Sequence, residues 1–243
     1  MKMGIGIGWP NATYQSGEKP NTALIPASSA FDIPENSNYT IEFWASSISP
    51  GLDNKNVFFS FGTDAAVHSA FLVNTGTFGT PIWNFVYNTN NVEIFNVDVT
   101  TEVQYNLWNF FCIERKGNTT WLGLNGFWIY GTGAGSPAIS SNGEPMYIGS
   151  DNVSNILNGA MNNFRWSTVA IYDPLVNPFP VPNTDFNYGI DTLFLTIQGF
   201  DLNESLLDQT VNGHNIIKGT KVGYNASNPF GNNPIYAGNL TFA

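Results

Sequence analysis

Residues 108–130 read WNFFCIERKGNTTWLGLNGFWIY, and this stretch decides the fold. Its Phe, Ile, Trp and Tyr residues fall into three short runs, and such side chains suit a pleated surface buried on at least one side. Two turns separate the runs, Lys116-Gly117-Asn118 and Asn125-Gly126. Asn-Gly accepts positive φ at both positions with little strain, giving the tight turn whose twist matches that of the strands beside it. The spacing predicts three adjacent antiparallel strands.

Outward from this unit, Tyr39–Ala45 alternates. Tyr39, Ile41 and Phe43 share one face while Thr40, Glu42 and Trp44 take the other. The first set predicts an inner face of a sandwich. Further strands are predicted at Val57–Phe61, Ala70–Val73, Ile82–Tyr87, Val92–Val99, Met146–Gly149, Asn158–Ser167, Thr192–Ile197 and Ile235–Phe242, with turn clusters between them. In Asn158–Ser167, Ala160, Asn162, Phe164 and Trp166 alternate against Met161, Asn163 and Arg165. Asp173–Asn187 carries four prolines and predicts an excursion outside any ladder. No stretch holds a 3.6-residue period with caps, so helix is expected to be scarce, with one turn at most in Asn203–Gln209. The expected architecture is all-β, a two-sheet antiparallel sandwich in one domain over residues 25–243. Residues 1–24 are expected to form an arm or edge strand used in assembly, because Gly4–Trp9 alternates small and large residues.

Composition narrows the partners. The 243 residues are 42% hydrophobic and 15% aromatic, ample for a core, but only 11% charged. Solubility then rests on Asn, Thr, Ser and Gly, a balance that suits rigid extracellular or particle-associated β proteins. The net charge of −10, with eight basic residues scattered along the chain, argues against nucleic acid and against an anionic membrane surface. No run approaches the apolar length needed to span a bilayer, and MKMGIGIGWP does not read as a signal peptide. Cys112 is the only cysteine, which rules out an intrachain disulfide; between Phe111 and Ile113 it reads as a small apolar strand residue.

Several stretches together resemble the concanavalin A-like, laminin-G-like jelly roll. Ile25–Phe31 followed by Tyr39–Trp44 is similar to that family's entry strands. Trp108–Phe111, Arg115–Asn118 and Leu124–Gly126 resemble its hairpin, and Tyr147–Gly149 with Leu157–Arg165 its later strand pair. Phe164–Tyr172 and then Asn177–Pro182 resemble a variant found in particle proteins of phages and large DNA viruses, with a slightly different spacing. The resemblance covers roughly residues 25–231. It implies two curved antiparallel sheets and, through that variant, a virion protein assembled in the host cytoplasm, in contact with other virion proteins, with copies of itself or with a host-surface glycan. Fold alone does not imply activity.

A retaining glycosidase needs two carboxyl groups about 5–5.5 Å apart. In the sequence Glu42 stands alone, Glu114 is followed by Arg115, and Glu93 and Asp98, five positions apart, are expected on opposite faces. The expectation is a protein that is not an enzyme. His68 and His214 read as surface residues, and no Gly-x-Ser-x-Gly stretch accompanies them. Gly149–Asn152 and Asp208–Asn212 are oxygen-rich loops; Asp151 and Asn152 are the candidate calcium ligands, against the simpler reading that such residues close their own turns. No other cofactor is indicated. Sugar recognition would use aromatic faces, and Trp83, Trp128, Tyr130 and Trp166 are the candidate ligand-binding residues. Both faces of Phe127–Tyr130 carry aromatics, so one pair must point outward unless a loop or a neighbouring subunit covers it.

Overall fold

The computed structural model describes residues 23–46, 55–62, 68–77, 80–104, 107–133, 137–151, 155–157, 159–196, 207–218, 222–225 and 239–242. Among them the chain forms strands β1 (Ala23–Ile25), β2 (Tyr39–Ser46), β3 (Lys55–Phe61), β4 (His68–Asn74), β5 (Trp83–Thr89), β6 (Val92–Asp98), β7 (Asn109–Lys116), β8 (Thr119–Leu124), β9 (Phe127–Thr132), β10 (Met146–Ile148), β11 (Gly159–Ser167), β12 (Thr192–Thr196), β13 (Ile217–Lys218), β14 (Val222–Asn225) and β15 (Asn239–Phe242). The only helical piece among the described residues is one 3-10 turn, Ser29–Phe31.

Two antiparallel sheets stack on each other. The first runs β13-β1-β10-β3-β4-β5-β6 and the second β14-β15-β11-β2-β7-β8-β9, with β12 also paired to β11. The predicted three-strand unit is β7-β8-β9, with Asn125 at φ 52° and Gly126 at φ 90° in its tight turn. Between the sheets Phe43, Phe58, Phe59, Phe85, Phe111, Phe164 and Trp166 are fully buried, and Phe43 stacks on Phe111 with centroids 5.3 Å apart. Tyr39 on β2 and Tyr87 on β5 share a 2.9 Å hydrogen bond that ties one sheet to the other.

Two bulges reset the alternation expected from sequence. In β11 the register with β2 slips between Asn162 and Arg165, where Asn163 sits at φ 51°. Met161, Phe164 and Trp166 then all join the core, where strict alternation would have parted Met161 from the other two. In β6 both Ile94 and Phe95 are in the core, so Glu93 and Asp98 end on the same, exposed side. That corrects their expected placement on opposite faces.

Residues 1–22, most of the expected arm, lie outside the described residues; Ala23 and Leu24 belong to β1, between β10 and β13 in the first sheet. Of the weak helical candidate, residues 203–206 also lie outside, and 207–209 are not helical.

Candidate functional site on the strapped face of the second sheet

The outer face of the second sheet carries Thr40, Glu42 and Trp44 from β2, and Phe110, Cys112 and Glu114 from β7. In register, Thr40 lies opposite Glu114, Glu42 opposite Cys112 and Trp44 opposite Phe110. An exposed sheet would leave these groups in water. All are buried, because residues 168–191 leave β11, cross this face to β9 and return to β12 as a strap. Tyr172, Phe179 and Phe186 of the strap pack on Trp44, Phe110 and Cys112, with Trp108, Trp128 and Val181 at the margin. The proline-rich excursion predicted at Asp173–Asn187 is this strap. Proline cannot donate to a ladder, so the segment is confined to lying over a sheet.

Polar groups fix the strap at both ends. On the outbound run, the Tyr172 amide donates to Glu114 Oε2 at 2.8 Å, and its phenol donates to Glu42 Oε2 at 2.6 Å. The Lys116 ammonium pairs with Asp173 at 3.2 Å at the surface. At the far turn the Phe179 amide donates to Gly126 O at 2.7 Å, and the Trp128 indole donates to Val176 O at 3.1 Å. On the return, the Phe186 amide donates to Asn163 Oδ1 at 2.8 Å, and Asn163 Nδ2 donates to Asp185 at 2.7 Å. The Arg165 guanidinium reaches both Asn187 O, at 2.8 Å, and Glu42 Oε1, at 2.7 Å from Nε, with Nη2 in ion-pair contact with the same carboxylate.

The face therefore buries two carboxylates and holds one partly buried guanidinium at its edge. Burial raises Glu42, while Arg165 and the Tyr172 hydroxyl pull it back. Burial pushes Glu114 up to about 7; its hydrogen bonds from the Tyr172 amide and Thr40 offset only part of this, and Glu42 adds like-charge repulsion. Burial, with Glu42 and Glu114 nearby, raises the Cys112 thiol as well. A protonated acid beside an ionised one is chemically the makings of proton transfer, but here both lie under the strap and Glu42 is neutralised by Arg165. Sequence reasoning missed this cluster. Glu42 and Thr40 were on the correct face, but Arg165 and Tyr172 reach Glu42 across 123 and 130 positions, and no local signal announces that.

The four candidate aromatic residues are not brought together. Trp166 is fully buried between the sheets against Phe31, Phe61 and His68, and Trp83 is in the same core; neither presents a face to a ligand, which corrects that expectation. Trp128 is half-buried under Phe179, centroids 4.4 Å apart, so a loop supplies the cover that the aromatic strand required. Tyr130 remains 42% exposed, its ring edge-on to Phe95 of the first sheet, and Phe127 beside it is 53% exposed.

Of the calcium candidates, Asn152 lies outside the described residues. Asp151 is buried, and its carboxylate accepts from the Asn155 amide at 3.0 Å and from the Asn155 side chain, closing its own turn. Asp208 likewise accepts from Thr210 and His214 within its loop. Among the described residues no three His, Cys, Asp or Glu side chains converge as a metal site. The histidines are not surface residues as expected: His68 is fully buried at the start of β4, and His214 is held by Asp208 at 2.6 Å and packs on Phe31.

Two stacked antiparallel sheets with an aromatic core define a jelly-roll sandwich of the lectin and glucanase type. The chain belongs to the concanavalin A-like lectin/glucanases superfamily, whose family model matches residues 19–176. No curated protein matches it. Among solved structures it is similar to the native heptameric SAP-like pentraxin of Limulus polyphemus (12% identity, TM-score 0.45, 65% of this chain and 74% of that one). It is also similar to domain 4 of the extracellular arabinanase AbnA of Geobacillus stearothermophilus, solved with arabinotriose (14% identity, TM-score 0.42, 59% of this chain and 65% of that one). A third likeness is to tailspike protein 2 of a bacteriophage of Escherichia coli O157:H7 (10% identity, TM-score 0.37, 66% of this chain and 27% of that one). Likenesses at this level concern the fold and say nothing of activity.

Proposed function

We propose that the chain is a non-catalytic surface module of a virus particle, a minor capsid, fibre or decoration protein that works by contact with other virion proteins, with copies of itself or with a host-surface glycan. The observation that carries this reading is the strap. It covers the outer face of β2 and β7, and both carboxylates there are fully buried beneath it, so among the described residues this pair of acids is closed to a substrate. The particle assignment is supported by the resemblance of Phe164–Tyr172 and Asn177–Pro182 to the phage and large-virus variant. The low charge fits assembly in the cytoplasm of a host.

Quantitative mass spectrometry of purified particles tests the reading. A fixed stoichiometry with the other virion proteins is expected, with no release of reducing sugar from β-glucans by the isolated chain. Hydrolysis abolished by Glu42→Gln or Glu114→Gln would replace the proposal with a glycosidase. A second reading, a free-standing lectin, is favoured by the exposed pair Phe127 and Tyr130. On a glycan array it requires dose-dependent binding that Tyr130→Ala or Trp128→Ala removes.

A further inference from the structure

The hydrogen-bond count under the strap does not close with both glutamates ionised. Thr40 has one hydroxyl proton and two acceptors in range, Val169 O at 2.8 Å and Glu114 Oε2 at 3.0 Å. The Ile171 amide already donates to the Thr40 oxygen at 3.1 Å. If Thr40 serves Val169, an ionised Glu114 would face the Thr40 oxygen lone pair with no proton between them. If it serves Glu114, the Val169 carbonyl loses this donor. Glu114 Oε1 is buried with no well-formed hydrogen bond, the Ile171 amide acting on the carboxyl only weakly, which is tolerable for a neutral carboxyl oxygen and costly for an anion. One proton on Glu114 resolves every conflict: Glu114 donates to Thr40, Thr40 donates to Val169, and the Tyr172 and Ile171 amides keep their acceptors.

Charge leads to the same state. Glu42 on β2 and Arg165 on β11 neutralise each other. The remaining titratable groups against Glu114 are Cys112 on its own strand, whose thiol burial keeps neutral, and Tyr172 on the strap, whose phenol burial and Glu42 likewise keep neutral. The Lys116–Asp173 pair is exposed at the rim and neutral as a pair. No cation among these is left to balance a second buried anion.

We propose that the strap is a proton-operated latch: it closes over the second sheet with a proton held on Glu114, and loss of that proton loosens it at Val169–Tyr172. This goes beyond the proposed function and does not depend on it. The raised affinity of Glu114 for its proton, about 7 against an ordinary 4.5, agrees with the geometry. It sets the direction as well. The closed strap binds the proton more tightly than an open one, so closure is favoured at low pH and weakens as pH rises from 4.5 to about 7. A tenfold change per unit gives about two orders of magnitude in the closed-to-open ratio.

Native-state amide exchange on the full chain tests this, corrected for intrinsic exchange rates. The Tyr172 amide, bonded to Glu114, is the reporter, and the Phe85 amide in the first sheet is the reference. In the wild type the protection of Tyr172 should fall roughly a hundredfold between pH 4.5 and 8 relative to Phe85. In Glu114→Gln, which is neutral at every pH and turns its amide oxygen to the Tyr172 N–H, it should stay level. The same pH profile in both proteins, or a loss shared with Phe85, would overturn the latch. Should the Gln variant not fold, carboxyl-detected NMR titration of Glu114 in the wild type decides alone. A midpoint near 7 supports the proposal, and a midpoint in the ordinary range of 4 to 5 overturns it.

Discussion

The phenol of Tyr172, on the strap, donates a 2.6 Å hydrogen bond to Oε2 of Glu42, in the middle of β2 and 130 positions earlier in the chain. This bond reaches from a segment without ladder pairing to a fully buried carboxylate whose other oxygen is held by Arg165. Tyr172→Phe keeps the ring packed on Phe179 and removes only the donor. A hydrogen bond to a buried charged group contributes about 1.5–3 kcal/mol, so urea unfolding should show a loss of about 2 kcal/mol. An unchanged midpoint would mean that the bond does not hold the strap.

Gly123 lies on β8 directly beneath the strap. A Cβ there would meet Cζ of Phe179 at 2.7 Å and Cε1 at 2.8 Å, with Trp128 at 3.1 Å. Gly123→Ala therefore pushes the Phe179 ring off its seat and should cost about 1–3 kcal/mol by overpacking. Phe179→Ala removes the ring altogether and should cost about 3 kcal/mol or more through the cavity it leaves. In the double variant the clash has no partner, so the two losses should not add. Additive losses in thermal or urea unfolding would place Gly123 and Phe179 out of contact.

His68 titrates in the opposite sense to Glu114. It is ringed by Phe59, Phe61, Tyr87 and Trp166, and burial lowers its pKa to about 3. The unfolded chain binds a proton at about 6.5 and the native chain does not, so stability is complete above pH 6.5 and is lost as pH falls toward 3. The loss is on the order of 4 kcal/mol over that window. Glu114, protonated in the native state up to about 7 and ionised unfolded above 4.5, makes stability fall as pH rises from 4.5 to 7. The two slopes overlap between pH 4.5 and 6.5 and oppose each other. Stability profiles should separate them: relative to wild type, His68→Leu falls with rising pH across this window and Glu114→Gln climbs. Parallel profiles in all three proteins would contradict both assignments.

Arg115 is a buried cation whose guanidinium donates to the carbonyls of Ser37, Pro137 and Pro34 and lies over the Tyr39 ring. Lysine presents a point charge that cannot serve three divergent carbonyls at once. Arg115→Lys should therefore destabilise by about 2 kcal/mol or more, as buried carbonyls lose their donors. A loss within about 0.5 kcal/mol, as for a surface change, would show that these loops are held by other means.

How far the sequence announced this molecule depended on the range of each interaction. Tyr39, Ile41 and Phe43 were legible as core because alternation is local, and the Asn125-Gly126 turn because its backbone requirement rests on two residues. Trp166 was read as a ligand-facing ring because nothing in NGAMNNFRWS reveals the bulge at Asn163, which changes which residues of the strand face inward. His68 read as a surface residue, yet its ring fills the core beside Trp166. The prolines of Asp173–Asn187 showed that this segment leaves the ladder. They could not show that it returns over Trp44 and Phe110, which requires contacts between residues far apart in the chain. β13 and β14 carry patterns too short to stand out.

The central claim is that the strap seals the outer face of β2 and β7 and leaves contact to the exposed margin. Hydroxyl-radical footprinting of the full chain at pH 5 measures it directly, residue by residue. Trp44, Phe110 and Phe179 should remain unlabelled while Phe127, Tyr130 and Leu175 are modified. Modification of Trp44 and Phe110 at rates like that of Tyr130 would show an open face and contradict the account.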